Sequence, residues 1–362
     1  MHLLYNESGD TMRKRTETRK VMVRDLQIGN QNKVVLQTMA LNKTEHIDKV
    51  IQEINTYATH GADLVRLAIL DEADANALKT IKAQTNVLLV ADIHFDYRLA
   101  LIAIENGVDK VRINPGNIGK IGYIKKVVEA CKEKQIPIRI GVNAGSIEKD
   151  LLTIHGKSKE AMIESAKRHV KILEDLDFYD IILSLKASEP QLAIDAYRLA
   201  AETFEYPLHI GITEAGPVKQ GTMKSIAGLA PLIEQGIGDT IRISLSGSRI
   251  EELNAAKALL AAFDLYQAPK LISCPTCGRL SYDMMPLLKQ VEDYLNKEHI
   301  NLTVAVMGCA VNGPGEARDA DIGIAGGKKE GLIFVKGEIV RKVKQENLFE
   351  VFIEEIEKIR AD

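Results

Sequence analysis

The sequence predicts an α/β fold, a (β/α)8 TIM barrel, followed by a smaller α+β domain. Three observations carry that prediction. Eight short runs rich in apolar and β-branched residues alternate with amphipathic segments of helical period, the signature of βαβ units and a parallel sheet. Eight units in roughly 230 residues match the count at which such a barrel closes. The first strand-to-helix turn lacks the glycine-rich fingerprint of an open doubly wound sheet, the alternative architecture.

Taken in order, "TETRKVMVRDLQIG" reads as a short hairpin ahead of the barrel, placed to plug its floor. The eight strand runs are "VVLQTM" (34–39), "LVRLAI" (64–69), "VLLVADI" (87–93), "KVRINP" (110–115), "PIRIGVN" (137–143), "DIILSLKA" (180–187), "LHIGITEA" (208–215) and "DTIRISLS" (239–246). Between them, segments such as "HIDKVIQEINTYATHG" and "KEAMIESAKRHVKILEDL" space their apolar residues three and four apart, as one buried helix face requires. After the helix "EELNAAKALLAAFDLYQ" the pattern changes. Residues 1–267 are therefore read as the barrel and 268–362 as a second domain. There "KLISCPTCGRL", "LTVAVMGCAVNG", "DIGIAGG" and "GLIFVKGEIV" have strand character, whereas "YDMMPLLKQVEDYLNKE" and "ENLFEVFIEEIEKIR" have helical character.

Composition narrows the functional class. The chain has 362 residues, 46% hydrophobic and 27% charged, which suits a globular protein with a full core. A net charge of -3 gives no general attraction for nucleic acid or an anionic membrane surface. No apolar run approaches the ~18 residues that span a bilayer. The N-terminal "MHLLYNESGDTMRKRTETRK" has no apolar core of a signal peptide, so a cytoplasmic location is expected. In that compartment the four cysteines point to metal binding or catalysis rather than disulfides. Cys131, on the apolar face of a helical segment, reads as a core residue.

Active sites of such barrels lie at the C-terminal ends of the strands. Arg66 lies in the second strand, Asp92 and His94 end the third, and Arg112 and Asn114 end the fourth. Arg139 and Asn143 belong to the fifth, Lys186 ends the sixth, Glu214 the seventh, and Arg242 and Ser244 the eighth. Residues two apart share a strand face, as Arg112 does with Asn114 and Arg242 with Ser244. Five cations gathered in one mouth cost several kcal/mol each unless an anion is bound. Asp92 and Glu214 offset two of them. The remaining excess suits a phosphate, or better a diphosphate, since guanidinium forks grip phosphate oxygens in pairs. The helix start in "GPVKQGTMKSIAG" is a further candidate for anion binding.

Cys274 and Cys277 form a CxxC clamp, and Cys309 follows 32 residues later. Three thiols complete neither a four-ligand zinc site nor a pair of disulfides. Zinc with an incomplete cysteine set and an iron–sulfur cluster with one non-cysteine corner both satisfy the spacing. The loop "NGPGEA" favours the cluster, because its glycines let backbone N–H groups approach sulfides. Glu316 in that loop is the nearest candidate oxygen ligand.

"VRINPGN", "RIGVNAGS", "LSLKAS", "GITEAG", "IRISLS", "SCPTCGR" and "MGCAVNGPGEA" together resemble the bacterial 4-hydroxy-3-methylbut-2-enyl diphosphate synthase family in its two-domain form. The likeness runs from about residue 18 to the end. It implies a TIM barrel followed by a sulfite-reductase-like domain with a [4Fe-4S] cluster held by Cys274, Cys277, Cys309 and Glu316. Carboxylate is a harder and more labile ligand to iron than thiolate, which leaves one corner of the cluster free for chemistry. The implied reaction opens the ring of 2-C-methyl-D-erythritol 2,4-cyclodiphosphate with two electrons and two protons and removes a hydroxyl as water. By the same resemblance Arg112, Asn114, Arg139, Asn143, Lys186, Arg242 and Ser244 hold the diphosphate, with Arg66 beside them, and Glu214 transfers a proton. His94 and Asp92 are further candidates for that chemistry. Flavodoxin, ferredoxin or an NADPH-linked reductase would supply the electrons.

A phosphate-binding barrel aldolase or isomerase with an accessory zinc domain is the competing reading, with Lys186 placed for a Schiff base. A plain iron–sulfur electron carrier would leave the barrel cations without a ligand. A helix of 17 residues after the eighth strand covers about 25 Å down the outside of the barrel. It delivers the chain to the face opposite the mouth, so a homodimer with composite active sites is expected, each cysteine domain capping the partner's barrel.

Overall fold

The computed structural model describes residues 12–361 apart from 281, 299, 310–317 and 328. The chain divides into two compact units, Met1–Leu265 and Tyr266–Asp362.

The first unit begins with the hairpin of β1 (Val21–Val23) and β2 (Leu26–Ile28), paired antiparallel. Alternation decides its role. Val21, Val23 and Ile28 are fully buried and pack on Val35, Leu64, Val90 and Ile182 from four different barrel strands, closing the floor. The barrel strands are β3 (Val35–Met39), β4 (Leu64–Ile69), β5 (Leu88–Ile93), β6 (Lys110–Ile113), β7 (Ile138–Asn143), β8 (Ile181–Lys186), β9 (His209–Ile210) and β10 (Thr240–Ile241). They form one parallel sheet in the order β8-β7-β6-β5-β4-β3-β10-β9. A parallel bridge between Leu183 and Leu208, with the Leu183 N–H donating to Pro207 O at 2.9 Å, joins the two ends. The predicted barrel is thus present and closed.

Its outer ring is α1 (Ile47–Thr59), α2 (Glu72–Ala83), α3 (Tyr97–Glu105), α4 (Pro115–Ile118), α5 (Ile121–Lys134), α6 (Lys149–His155), α7 (Lys159–Glu174), α8 (Pro190–Thr203), α9 (Val218–Glu234) and α10 (Arg249–Ala261). Side chains set several of the starts. Asp71, Asp96 and Ser158 accept from first-turn N–H groups of α2, α3 and α7, and Ser248 and Glu251 form a capping box at α10.

The runs 208–215 and 239–246 read as full strands, but only two residues of each are strand. Single backbone hydrogen bonds continue past them, from the Arg242 N–H to Ile210 O and from the Thr213 N–H to Ala187 O, both 3.1 Å, but the regular pairing ends. A Cβ on Gly211 would lie 2.6 Å from the carbonyl oxygen of Arg242. Beyond β9 and β10 the chains leave the ladder and their residues become mouth loops.

The second unit contains β11 (Lys270–Ser273), β12 (Thr303–Met307), β13 (Ile322–Ala325), β14 (Glu330–Val335) and β15 (Glu338–Lys344), in that spatial order. The first three are parallel and the last two antiparallel. The run "GLIFVKGEIV" is a hairpin rather than one strand. Lys336 and Gly337 both take positive φ, 48° and 83°, as a tight two-residue turn requires. Helices α11 (Met284–Lys297) and α12 (Leu348–Ala361) cover one sheet face, where Val291, Leu295, Phe352 and Ile356 meet Val304, Val306, Ile322 and Ile324. Among the described residues no helix is long and apolar enough to cross a membrane.

Candidate active site

The barrel interior carries its charges in rows set by strand register. Asp92 on β5 pairs with Arg112 on β6, and Arg112 with Arg139 on β7, so three charged residues sit on neighbouring strands about 4.8 Å apart. Arg112 Nη1 donates to Asp92 Oδ1 at 3.0 Å, and Arg66 Nε lies 3.5 Å from Asp92 Oδ2. His94, just beyond β5, sits with Nε2 3.6 Å from the same carboxylate and its side chain 44% exposed, the most open member of the group. Burial alone would raise the pKa of Asp92. Arg66 above all, then the His94 hydrogen bond, Arg112 and Arg139, reverse this and hold the carboxyl well below the usual carboxylate range.

Arg139 is 1% exposed. Its Nη1 donates to Ser184 Oγ at 2.8 Å, while Nε and Nη2 are buried without a partner. Lys186 is the last residue of β8 and pairs in register with Asn143, the last of β7. Arg242, just past β10, has Nη2 3.5 Å from Glu252 of α10 and Nη1 3.6 Å from Met39 Sδ. Met39 Sδ also accepts from Arg66 Nη2 at 2.9 Å, so one thioether lies between two guanidinium groups. Arg112 Nε and Arg242 Nε are likewise buried and unpartnered.

Two glycines make room for these cations. A Cβ on Gly141 of β7 would lie 2.7 Å from Arg112 Nε, and one on Gly211 would lie 2.8 Å from Lys186 Nζ. Burial, then Arg139, Arg66, Arg242 and Arg112, push the Lys186 ammonium well below its ordinary range. Burial is also the largest influence on Arg66, pushed down to about 10, and Asp92 opposes it.

The other sequence candidates lie around this cluster. Asn114 is buried, and its Oδ1 accepts from the Gly116 N–H, capping α4. Asn143 and Ser244 are half-buried. Glu214 stands on the exposed mouth loop after β9, at φ 53°. A left-handed non-glycine residue costs about 1 kcal/mol or more and marks a constrained loop. The expected second neutralising acid is not Glu214 but Glu252, which holds Arg242 and Arg249 together and accepts from the Leu245 N–H at 2.8 Å. Its place on a helix hid it in the sequence.

Lys110, also missed, is 0% exposed on β6, two residues from Arg112 and on the same face. The signal was the alternation Lys110, Arg112, Asn114 within "KVRINP". Six basic side chains, Arg66, Lys110, Arg112, Arg139, Lys186 and Arg242, thus face two carboxylates, Asp92 and Glu252. Buried guanidinium N–H groups aimed into an excess of positive charge are donors awaiting anionic oxygens.

In the second unit, Cys274 follows the end of β11 and Cys309 lies two residues beyond β12, the adjacent parallel strand. The Gly308 N–H donates to Cys274 Sγ at 3.1 Å, which ties the two cysteine segments together. A Cβ on Gly308 would lie 2.6 Å from Leu280 and 3.3 Å from Cys274 Sγ, so this approach requires glycine. Cys277 is exposed and Cys131 is buried in the barrel unit. Among the described residues no three His, Cys, Asp or Glu side chains converge as a metal-binding group. Glu316 lies outside the described residues. The donor set, thiols at adjacent strand ends with a backbone N–H directed at one sulfur, fits a thiolate-bound iron–sulfur group.

The chain is 54% identical over 347 residues to "4-hydroxy-3-methylbut-2-en-1-yl diphosphate synthase (flavodoxin)" of Exiguobacterium sibiricum, covering 95% of this chain and 94% of that one. It is 53% identical over 353 residues to the protein of the same name from Bacillus mycoides, covering 97% of each. The Bacillus velezensis protein of that name is 54% identical over 350 residues, 96% of this chain and 93% of that one. The model of the GcpE TIM-barrel domain matches residues 18–257 and that of the GcpE protein C-terminal domain matches 270–358. With both family domains present in order along nearly its whole length, the chain belongs to the GcpE family.

Proposed function

We propose that this chain is an iron–sulfur oxidoreductase of isoprenoid biosynthesis by the methylerythritol phosphate route. It converts 2-C-methyl-D-erythritol 2,4-cyclodiphosphate to 4-hydroxy-3-methylbut-2-enyl diphosphate. The observation that carries the reading is the barrel interior, where six basic side chains face two carboxylates and guanidinium N–H groups lack partners. A cyclic diphosphate supplies the missing anionic oxygens. The names of the relatives support an allylic diphosphate product and a flavodoxin as electron donor; ferredoxin is the alternative donor.

In this reading residues 1–267 bind substrate and 268–362 carry the cluster. Arg112, Arg139, Lys186 and Arg242 bind the diphosphate, with Arg66, Asn114, Asn143 and Ser244 at its edges. Asp92 keeps Arg66 and Arg112 aimed inward, and Glu252 does so for Arg242. Glu214 on its exposed loop delivers a proton toward the carbon skeleton, and His94, open to solvent beside Asp92, relays protons into the mouth. Cys274, Cys277, Cys309 and Glu316 would hold a [4Fe-4S] cluster. When bound, that cluster supplies electrons one at a time to the two-electron reduction. Iron–sulfur chemistry and reduced thiols suit the cytoplasm. The working unit is a homodimer in which each cysteine domain completes the partner's barrel.

The test is Glu316→Gln together with iron and acid-labile sulfide analysis. The variant keeps most of its iron and loses turnover of the cyclic diphosphate, whereas each Cys→Ser change loses both. A fully active Glu316→Gln protein would remove the carboxylate from the ligand set.

A further inference from the structure

Lys110 has no part in the substrate contacts given above, yet it is fully buried at the start of β6, two residues before Arg112. Its ammonium is fully buried, and the partner nearest to it is the neutral Gln37 Oε1 of β3 at 3.4 Å. The charged and titratable groups that act on it are Arg66 on β4 and Arg139 on β7, and it acts in turn on His209 of β9; Arg112 lies two residues along its own strand, on the same face. Asp92 is committed to Arg66 and Arg112, and Glu252 to Arg242 and Arg249. The same layer holds other incomplete polar groups. Gln37 Nε2 and His209 Nε2 are buried without partners, while His209 Nδ1 meets Thr240 Oγ1 at 2.5 Å. A lysine serving only as filler here would be outdone by methionine of similar volume, so its cost to the fold points to a use.

We propose that Lys110 is a positioning residue for the diphosphate site: its amine takes up a proton as the cyclic diphosphate binds above it, so that substrate binding is coupled to proton uptake and tightens as the pH falls. Burial first, then Arg139 and Arg66, drive the Lys110 ammonium well below its ordinary range. The surrounding guanidinium groups keep their protons in proteins, so the excess charge of the empty site is relieved at the lysines. A dianion entering the layer reverses the balance and restores the ammonium, which then holds the arginines' ligand from below. The linkage sign follows. A group that binds more protons in the complex than in the free protein makes affinity rise as protons are added, between its free and bound pKa values. Each phosphorus of a cyclic diphosphate carries one acidic oxygen, ionised throughout this range, so the ligand itself does not take up the proton.

The inference rests on the barrel as the diphosphate site. The experiment is calorimetric titration of the oxidised, cluster-loaded protein with the cyclic diphosphate, without reductant. It is done near neutral pH in buffers of different ionisation enthalpy. The slope of heat against buffer enthalpy for the wild type should report uptake of at least one proton. Lys110→Met should still bind, about ten-fold more weakly, with the uptake lowered by about one proton. Lys110→Arg, which cannot release its proton, should keep affinity and lose the same proton from the uptake. A wild-type slope of zero overturns the proposal while leaving the binding site intact. Undiminished uptake in Lys110→Met assigns the proton to Lys186 or His209 and overturns it equally. Absence of any binding heat in the wild type would remove the diphosphate reading and this inference together. If neither variant folds, Gln37→Glu, which places a carboxylate beside the Lys110 amine and keeps it protonated in the free protein, takes their place: the Lys110 proton should disappear from the uptake, and undiminished uptake overturns the proposal.

Discussion

At the scale of single residues, the barrel interior is a problem in charge balance. Arg139 shows it most simply: it is fully buried with one hydrogen bond, to a neutral serine, and two N–H-bearing nitrogens left over. Leaving such donors unpaired costs about 1–3 kcal/mol each. Arg139→Ala removes the cost together with the grip on substrate. It should raise the dissociation constant for the cyclic diphosphate at least about ten-fold, since a charge-assisted hydrogen bond contributes about 1.5–3 kcal/mol. Iron content should be unchanged. Lys186→Ala should behave in the same way, and calorimetry on both variants checks it; wild-type affinity in both would place the substrate elsewhere. Arg112, Arg139, Lys186 and Arg242 were legible in the sequence because each interrupts an apolar strand run, where a charge is conspicuous. Glu252 was not legible. In "RIEELNAAKALL" it looks like any helix carboxylate, and only the fold turns it toward Arg242 and buries it to 2% exposure.

At the scale of elements, the strands do more than carry side chains, because their glycines decide where those side chains fit. Gly141 lies on β7 between Arg139 and Asn143, and its missing Cβ is the space taken by the Arg112 guanidinium. Gly141→Ala therefore sets a methyl against Arg112, whose other side is held by Asp92. The barrel should still fold, since Gly141 has ordinary strand φ and its carbonyl ladder is untouched. Affinity for the cyclic diphosphate should fall about ten-fold or more. Binding measured beside circular dichroism separates the two effects, and unaltered affinity would mean that Arg112 is free to move aside. The alternation of runs and helices made the barrel and its hairpin floor readable. The lengths of β9 and β10 were not. Past β9 and β10 polar and apolar residues go on alternating, as in Arg242, Ile243, Ser244 and Leu245, so the strand pattern of the sequence outlasts the regular ladder. The turn at Lys336 and Gly337 is a similar case, where only the glycine marked the reversal of a continuous β-rich run.

At the scale of the whole molecule, the chain is two compact units with complementary chemistry, a cationic barrel and a cysteine-bearing mixed sheet. Cys274 and Cys309 stood out in the sequence by their spacing, and adjacent parallel strands bring both to one sheet end. Glu316, which falls outside the described residues, rests on the family resemblance. Division of labour between two chains has its own test. Mixing an inactive Cys309→Ser chain with an inactive Arg139→Ala chain under subunit exchange should restore activity, because one composite site of the mixed dimer then carries neither defect. No recovery despite exchange would exclude composite sites. The central claim, that both units act on one cyclic diphosphate, is tested most directly by anaerobic turnover. Protein reconstituted with iron and sulfide is incubated with the cyclic diphosphate and reduced flavodoxin, and the products are identified by mass spectrometry. The account predicts the linear allylic diphosphate, formed only by the iron-loaded protein and lost in Cys309→Ser. Intact cyclic diphosphate after incubation with the iron-loaded, reduced protein, or equal turnover without iron, would contradict it.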